Sequence, residues 1–253
     1  MLYVYIKYKL LYRLNVKCQE KKGKIKIKFD FIFFCVKINF VRMNNFAIGI
    51  PTINRSDLLN QALFLYFKNF PNTEIFIIDN GNQDIRSRDH LFKIIKPGEN
   101  LGVSKSWNLL CDEIFKQHSH ALILNDDIEL GVSEGSIKSF INNYTFDLSR
   151  CYTQFHLSSF ILSKSCFSEF RFDEDFYPAY YEDRDMLYRL KLANRSVVEN
   201  YLLNPHIFRN SQTISSQGGD PSINKDFNKL TELYIKKWGG PPNEEKYTTP
   251  YNK

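Results

Sequence analysis

The chain reads as an α/β protein with a Rossmann-like, mostly parallel central sheet flanked by helices. Three observations predict this. Short apolar runs alternate with longer segments of helical periodicity from Phe46 to Leu124. The runs stop on turn-forming or acidic residues, as strands do when they deliver side chains to one sheet edge. The order strand, helix, strand, strand, helix, strand calls for crossovers, which favour parallel pairing.

The elements follow in turn. Phe46–Ile50 predicts a first strand, closed by Pro51. Ser56 is a candidate cap for a helix running to about Asn69, with Leu58, Leu59, Ala62, Leu63, Leu65 and Tyr66 recurring at helical spacing. Glu74–Ile78 predicts a second strand, ended by the turn signal Asp79-Asn80-Gly81. Phe92–Ile95 predicts a third, before the Pro97–Gly102 loop. Ser104 is expected to cap a helix to about Lys116, and His120–Leu124 to form the fourth strand. The second half is less regular. It suggests a strand over Phe155–Leu162 and helices over Ser163–Phe170, Glu182–Ala193 and Asp226–Lys237, with a strand at Val197–Asn200. The tail from Gly239 is rich in Pro, Gly and Tyr and is expected to wrap over the surface.

Charge separates the first 42 residues from the rest. They carry eleven Lys/Arg and two acids, for +9, whereas residues 43–253 carry 23 bases and 26 acids, for −3. The net +6 therefore belongs to the leading segment, and the larger part gives no electrostatic case for nucleic acid. Alternation in Lys24–Phe31 fits a strand, with no turn chemistry to give it a partner. Two readings stand for residues 1–42. One is a basic extension, disordered or making a peripheral membrane or partner contact. The other is a mis-assigned upstream translation before a true start at Met43.

The longest clean apolar run there, Phe31–Val36, is far short of the roughly 20 residues a membrane helix needs. The five cysteines are odd in number and no pair has Cys-x-x-Cys spacing. Neither a disulfide framework nor a zinc site is indicated, and a reducing, cytoplasmic compartment is favoured.

The chemistry concentrates where strands should end. Ala121–Leu124 stops on Asn125-Asp126-Asp127. Two carboxylates at the C-terminal edge of a sheet can hold a divalent cation against a phosphate, although Asn-Asp-Asp also makes a plain turn. Four further segments fall at comparable positions: Pro51-Thr-Ile-Asn-Arg55, Asp79-Asn80-Gly81, Asn100-Leu-Gly-Val-Ser104 and Tyr180-Tyr-Glu-Asp-Arg-Asp185. Each is weak alone, and their order together is informative.

In that order, and with Phe172-Asp-Glu-Asp-Phe176 before the last, the segments resemble the inverting family-2-type glycosyltransferases of the GT-A fold. The likeness runs from about Phe46 to Phe208. It extends to rhamnosyltransferase-like members and to the small glycosyltransferase domains of large algal viruses, which would place the chain in a host cytoplasm. The resemblance implies a single GT-A domain over 43–253 and a nucleotide-diphospho-sugar donor, UDP- before dTDP-linked. It implies a Mn²⁺ or Mg²⁺ cofactor and a glycan, lipid or protein acceptor.

It also implies roles. Pro51, Thr52 and Arg55 lie at the nucleotide end of the first strand. Asp79 receives the base, and Asn100 and Gly102 let backbone approach the nucleotide. Asp126 faces the ribose or the metal's water shell, and Asp127 ligates the metal. His206 stands where some members place a third ligand, and Arg209 is a candidate cation for the diphosphate. The family commonly has Asp-x-Asp where this chain has Asn-Asp-Asp. Asp183 is the implied general base, with Glu182 and Asp185 as helix-start acids. A base must be ionised near neutrality, and a first-turn position favours the charge. Trp107, Tyr180 and Tyr181 are candidates for sugar contact or for core.

Other classes fit less well. A sugar nucleotidyltransferase would need a Gly-rich basic loop after the first strand, which Pro51–Arg55 is not. A dinucleotide oxidoreductase lacks its Gly-x-Gly-x-x-Gly. A catalytically degenerate domain that only binds glycan or scaffolds is the remaining alternative.

Overall fold

The computed structural model describes residues 16–21, 24–29, 45–85, 91–152, 157–208 and 226–253. The chain forms two compact units, Met1–Val41 and Arg42–Lys253. In the first, β1 (Val16–Lys21) pairs antiparallel with β2 (Lys24–Phe29), Val16 opposite Phe29 and Lys21 opposite Lys24. The strand expected from Lys24 therefore has a partner.

The second unit is built on a seven-stranded sheet. Its strands are β3 (Phe46–Thr52), β4 (Ile75–Asp79), β5 (Phe92–Ile95), β6 (His120–Leu124), β8 (Leu148–Arg150), β9 (Ser159–Ser163) and β10 (Val197–Glu199). The order is β10-β8-β9-β6-β3-β4-β5. β5, β4, β3 and β6 are parallel neighbours. β9 runs against both β6 and β8, so β8 and β10 point the same way as β6. This is the mostly parallel sheet the sequence predicts. β4 lies on one side of β3 and β6 on the other, so the winding reverses at β3, and ligands bind outside the strand ends at such a switch.

Both sheet faces are buried, which is why β3, β4 and β6 are near-continuous apolar runs. One face receives α1 (Ser56–Asn69) through Leu59, Ala62, Leu63 and Tyr66, and α3 (Glu134–Asn143) through Ile137 and Ile141. The other receives α2 (Gly102–Ile114) through Leu110, Cys111 and Ile114. It also receives α4 (Lys164–Glu169) through Cys166 and Phe167, and α5 (Glu182–Leu192) through Met186 and Leu190. A smaller apolar cluster joins Phe176 to Leu230, Tyr234 and Trp238 of α6 (Phe227–Trp238). A two-residue strand after the acidic turn, β7 (Ile128–Glu129), pairs with β11 (Ile207–Phe208). Among the described residues no helix is long and apolar enough to cross a membrane.

Two caps differ from expectation. Ser56 does not cap α1: the preceding Arg55 holds the cap position, and its guanidinium grips Asp57 instead. Ser104 lies inside α2, buried, because the helix begins at Gly102. The helix α3 was not foreseen, although Ser133 caps it by accepting from Ser136 N and Ile137, Phe140 and Ile141 recur at helical spacing. The tail wraps α6 as expected, with Lys246 and Tyr247 N–H groups on Trp238 O and Tyr188 Oη on Tyr247 O at 2.8 Å.

Candidate active site

The switch at β3 brings the ends of three strands together. Thr52 is the last residue of β3, and its Oγ1 donates to Asp126 Oδ2, just past β6, at 2.7 Å. Both are buried, as is Asp127. Gln83 Nε2 reaches Thr52 Oγ1 at 3.3 Å and Asp79 Oδ1, at the end of β4, at 3.2 Å. The Arg55 guanidinium is held above its ordinary range, first by its bond to Asp57 and further by the negative charge of Asp126 and Asp127. Thr52, Arg55, Asp79, Asp126 and Asp127 thus form one neighbourhood. Pro51 sits in β3 beside Ile78 and shapes the strand end.

Asp79 serves the turn as well as the site. Its Oδ1 accepts from Gly81 N at 3.1 Å. Its Oδ2 has no hydrogen-bond partner among the described residues, with Lys96 Nζ 3.6 Å away. Lys96 also donates to Gln83 O at 2.6 Å. Gln83 and Lys96 were not singled out from sequence. Lys96 directly follows β5, so its place at the end of the third predicted strand is the available signal. Gly81 is fixed by a close approach: a Cβ there would stand 2.3 Å from Asn54 Oδ1.

Asn100 and Gly102 shape the entry to α2. Asn100 Oδ1 accepts from Gly102 N at 2.9 Å, an entry turn for α2. Gly102 has φ +71°, and a Cβ there would meet Pro178 O and Tyr177 Cδ2 at 2.8 Å. The space beside it is filled by the chain leading into α5, and Val103 N donates to Pro178 O at 2.8 Å. Gly102 therefore docks the acid-bearing helix onto α2.

That lead-in is strained. Tyr180 and Tyr181 have φ of 85° and 71°, left-handed positions costing about 1–3 kcal/mol each for such residues. Packing against α6 holds them: Tyr180 meets Phe227 edge-on, Tyr181 packs on Tyr234, and Tyr181 Oη bonds Thr231 Oγ1 at 2.8 Å. Trp107 is core, edge-on to Phe160 and Phe172.

The three acids of α5 differ sharply. Burial pushes the Glu182 carboxyl up to about 8, the Asp183 charge adding to it, and its Oε2 has no partner among the described residues. Burial also raises Asp183, opposed by the Arg184 N–H at 2.7 Å and by the charges of Arg184 and Arg150. The helix start was expected to favour ionisation, and desolvation outweighs it. Asp185 is fully buried and paired, accepting from Arg189 Nε at 2.7 Å and Trp238 Nε1 at 2.9 Å, with Lys237 Nζ at 2.6 Å. Lys237 also bonds Asp173. Asn108 grips the same strut, through Phe172 N at 3.0 Å and Glu174 Oε1 at 2.9 Å. The Phe172–Phe176 motif is a clamp between α2 and α6.

His206 is not assembled with Asp127. It enters β11 opposite the end of β7 away from Asp127, and its N–H donates to Glu129 O at 2.7 Å. Among the described residues no three His, Cys, Asp or Glu side chains converge. Asp126 and Asp127 offer buried, hard oxygen donors, a set that fits a cation taking its other positions from phosphate and water. Arg209 lies outside the described residues.

No protein-family model matches the chain, and neither does any curated protein. Solved structures do. Glucosyl-3-phosphoglycerate synthase from Mycobacterium tuberculosis, in complex with Mn²⁺, UDP and phosphoglyceric acid, is similar at TM-score 0.54 and 8% identity. The match covers 79% of this chain and 80% of that one. The mannosyltransferase PcManGT from Pyrobaculum calidifontis, in complex with GDP-Man and Mn²⁺, is similar at TM-score 0.49 and 11% identity over 62% of this chain. The chain spans about half of that protein, 54%. A Drosophila galactosyltransferase in complex with manganese, UDP-Gal and xylobiose gives TM-score 0.43 and 12% identity, over 65% of this chain and 67% of that one. At these identities the likeness shows the fold, which is of GT-A type, and it rests on the first of the three.

Proposed function

We propose that the unit from residue 43 onward is a metal-dependent inverting glycosyltransferase. It moves a sugar from a nucleotide-diphospho-sugar, UDP- before dTDP-linked, to a hydroxyl of a glycan, lipid or protein. The observation that carries this reading is the Thr52–Asp126 contact, which seats two buried carboxylates at the reversal of the sheet. The similar fold of glucosyl-3-phosphoglycerate synthase, found in complex with Mn²⁺ and UDP, supports it.

The residues divide the work. The nucleotide lies over β3 and β4, with Asp79 Oδ2 as the spare acceptor for a base N–H once Lys96 and Gln83 give way. Asp127, with Asp126 beside it, holds Mn²⁺ or Mg²⁺, which offsets the charge that builds on a diphosphate as the sugar leaves. Thr52 fixes the Asp126 carboxylate by donating to its Oδ2. Arg55 adds positive charge. On the acceptor side, Glu182 keeps its proton and leaves the negative charge to Asp183, steadied by the Arg184 N–H and the Arg150 charge. A carboxylate held above its ordinary value is a better proton acceptor than a solvated one.

The test is calorimetric binding of UDP with and without Mn²⁺. Wild type is expected to bind in a Mn²⁺-dependent way and Asp127→Ala to lose that dependence. Undiminished Mn²⁺-dependent affinity in Asp127→Ala overturns the metal assignment.

A further inference from the structure

We propose that Tyr152 and Tyr201 form a stacking platform for the ring of a saccharide acceptor. The inference rests on the transferase reading for the word acceptor, and on the surface alone for the saccharide.

Topology places the pair. β8 and β10 run parallel to β6, and Arg150 stands opposite Glu199 at their ends. Tyr152 and Tyr201 each follow two residues later, so both leave the sheet at the edge that carries Thr52 and Asp126. Strands lie about 4.8 Å apart. With the order β10-β8-β9-β6-β3-β4, the carboxylates at the end of β6 fall between a nucleotide over β3 and β4 and anything held over β8 and β10. Arg150 is close enough to Asp183 for its charge to stabilise that carboxylate. The platform is thus on the base side of the site.

The two rings are exposed, 53% for Tyr152 and 70% for Tyr201, with centroids 5.1 Å apart. The backbone that carries them is hydrogen-bonded on both strands' exits. Tyr152 N donates to Asn204 Oδ1 at 2.7 Å, and Leu202 N to Asn200 Oδ1 at 3.0 Å. Asn200 N donates to Arg150 O at 2.8 Å, and Leu203 is fully buried, its carbonyl held by Ser159 Oγ. Exposed aromatic side chains that are merely tolerated need no such fixing. A sugar ring offers a face of C–H groups and a rim of hydroxyls. Tyrosine rings match the face, and the Arg150–Glu199 ion pair and Asn204 supply polar partners for the rim.

Saturation-transfer NMR with methyl β-glucoside, methyl β-galactoside, methyl α-rhamnoside and maltotriose tests this on the full chain. Wild type is expected to show transfer to at least one. Tyr152→Ala with Tyr201→Ala should weaken that binding at least roughly tenfold, the scale of losing aromatic stacking and its buried area. Tyr152→Phe with Tyr201→Phe should retain it, since the face and not the hydroxyl makes the contact. Both variants alter exposed side chains, and an unchanged unfolding midpoint is the control. Transfer to none of the four saccharides, or equal transfer in the double alanine variant, overturns the platform. Mn²⁺-dependent UDP binding measured on the same samples separates the two claims: if it persists while the platform fails, the transferase reading stands.

Discussion

The acids at the end of β6 and the acids at the start of α5 meet opposite fates. Asp126 and Asp127 are buried beside the Thr52 hydroxyl and within the field of the Arg55 guanidinium. Glu182 is buried and Asp183 half-buried, with far less compensation, and desolvation raises both. The same residue type can serve as a cation cradle or as a proton acceptor. What decides is whether the fold supplies positive partners. Asp185, two residues from Asp183, shows a third outcome: fully paired with Lys237, it is structure and not chemistry.

The largest expected effect breaks the contrast at its centre. Asp183→Asn keeps the shape and removes the proton acceptor, so sugar transfer should fall by roughly 10²–10⁴. Mn²⁺-dependent UDP affinity should stay within a few-fold of wild type, because the nucleotide end is untouched. Steady-state kinetics separate the two, as loss of kcat with donor KM unchanged. The product's anomeric configuration, read by NMR, should be inverted. Near-normal transfer by the variant, or a retained configuration, would overturn the assignment.

The next effect is on stability. Asp185→Ala strands Lys237 in a buried site with Asp173 as its remaining acidic partner, and should cost about 3–5 kcal/mol. Urea unfolding reads it directly. Asp185→Leu with Lys237→Met should recover much of the loss, because a buried ion pair replaced whole leaves no uncompensated charge. If Asp185→Ala were as stable as wild type, the contacts of Asp185 with Lys237 and Trp238 would not hold α5 to α6.

A smaller effect tests where the two regions touch. Gly102→Ala must fit a Cβ at 2.8 Å from Pro178 O on a backbone with φ +71°. It should cost about 1–3 kcal/mol from crowding, besides strain. Gly98→Ala has a similar φ of +84° but nothing within 4 Å, so it should cost only the strain. Thermal unfolding of the pair isolates the crowding. Gly102→Ala should also lower transfer, since it displaces the lead-in to Asp183.

Much of the site at the strand ends was legible in the sequence, because strands buried on both faces are written as apolar runs and their last residues name themselves. Thr52, Asp79 and Asp126 come together because a parallel sheet puts all such ends on one edge. Gln83 and Lys96 are not legible there, since one lies in a loop and the other just past a short strand, and only the folded edge shows that both touch the site. The acid-bearing end was legible as a motif but not in its physics. Nothing local distinguishes Asp183 from Asp185. The difference is made by Lys237 and Trp238, some fifty residues away along the chain. Gly102 makes the same point at a glycine. A glycine marks a close approach, but the sequence does not say whether the approaching group is a ligand or, as here, the chain's own Pro178.

Glu182→Gln gives the finest discrimination, a change in pH dependence with little change in rate. The ordinary value of this carboxyl is 4.5, and burial holds it at about 8. As pH rises past 4.5 the unfolded chain releases the proton while the folded chain keeps it. The folded state then binds more protons than the unfolded one, so stability falls with rising pH across that window and levels off above about 8. Asp183 adds to the fall in the same sense, because it too is raised. Glutamine has no proton to lose, so Glu182→Gln should flatten its share of the fall, read as urea midpoints at several pH values from about 5 to about 8. At neutral pH the wild-type Glu182 is already mostly protonated and resembles the amide, so transfer should remain within a few-fold. If Glu182→Gln lost transfer as deeply as Asp183→Asn, the proton acceptor would be Glu182. If instead its pH–stability curve matched wild type, the carboxyl would be ordinary and solvated, and the two ends of the site would not differ in the way their burial implies.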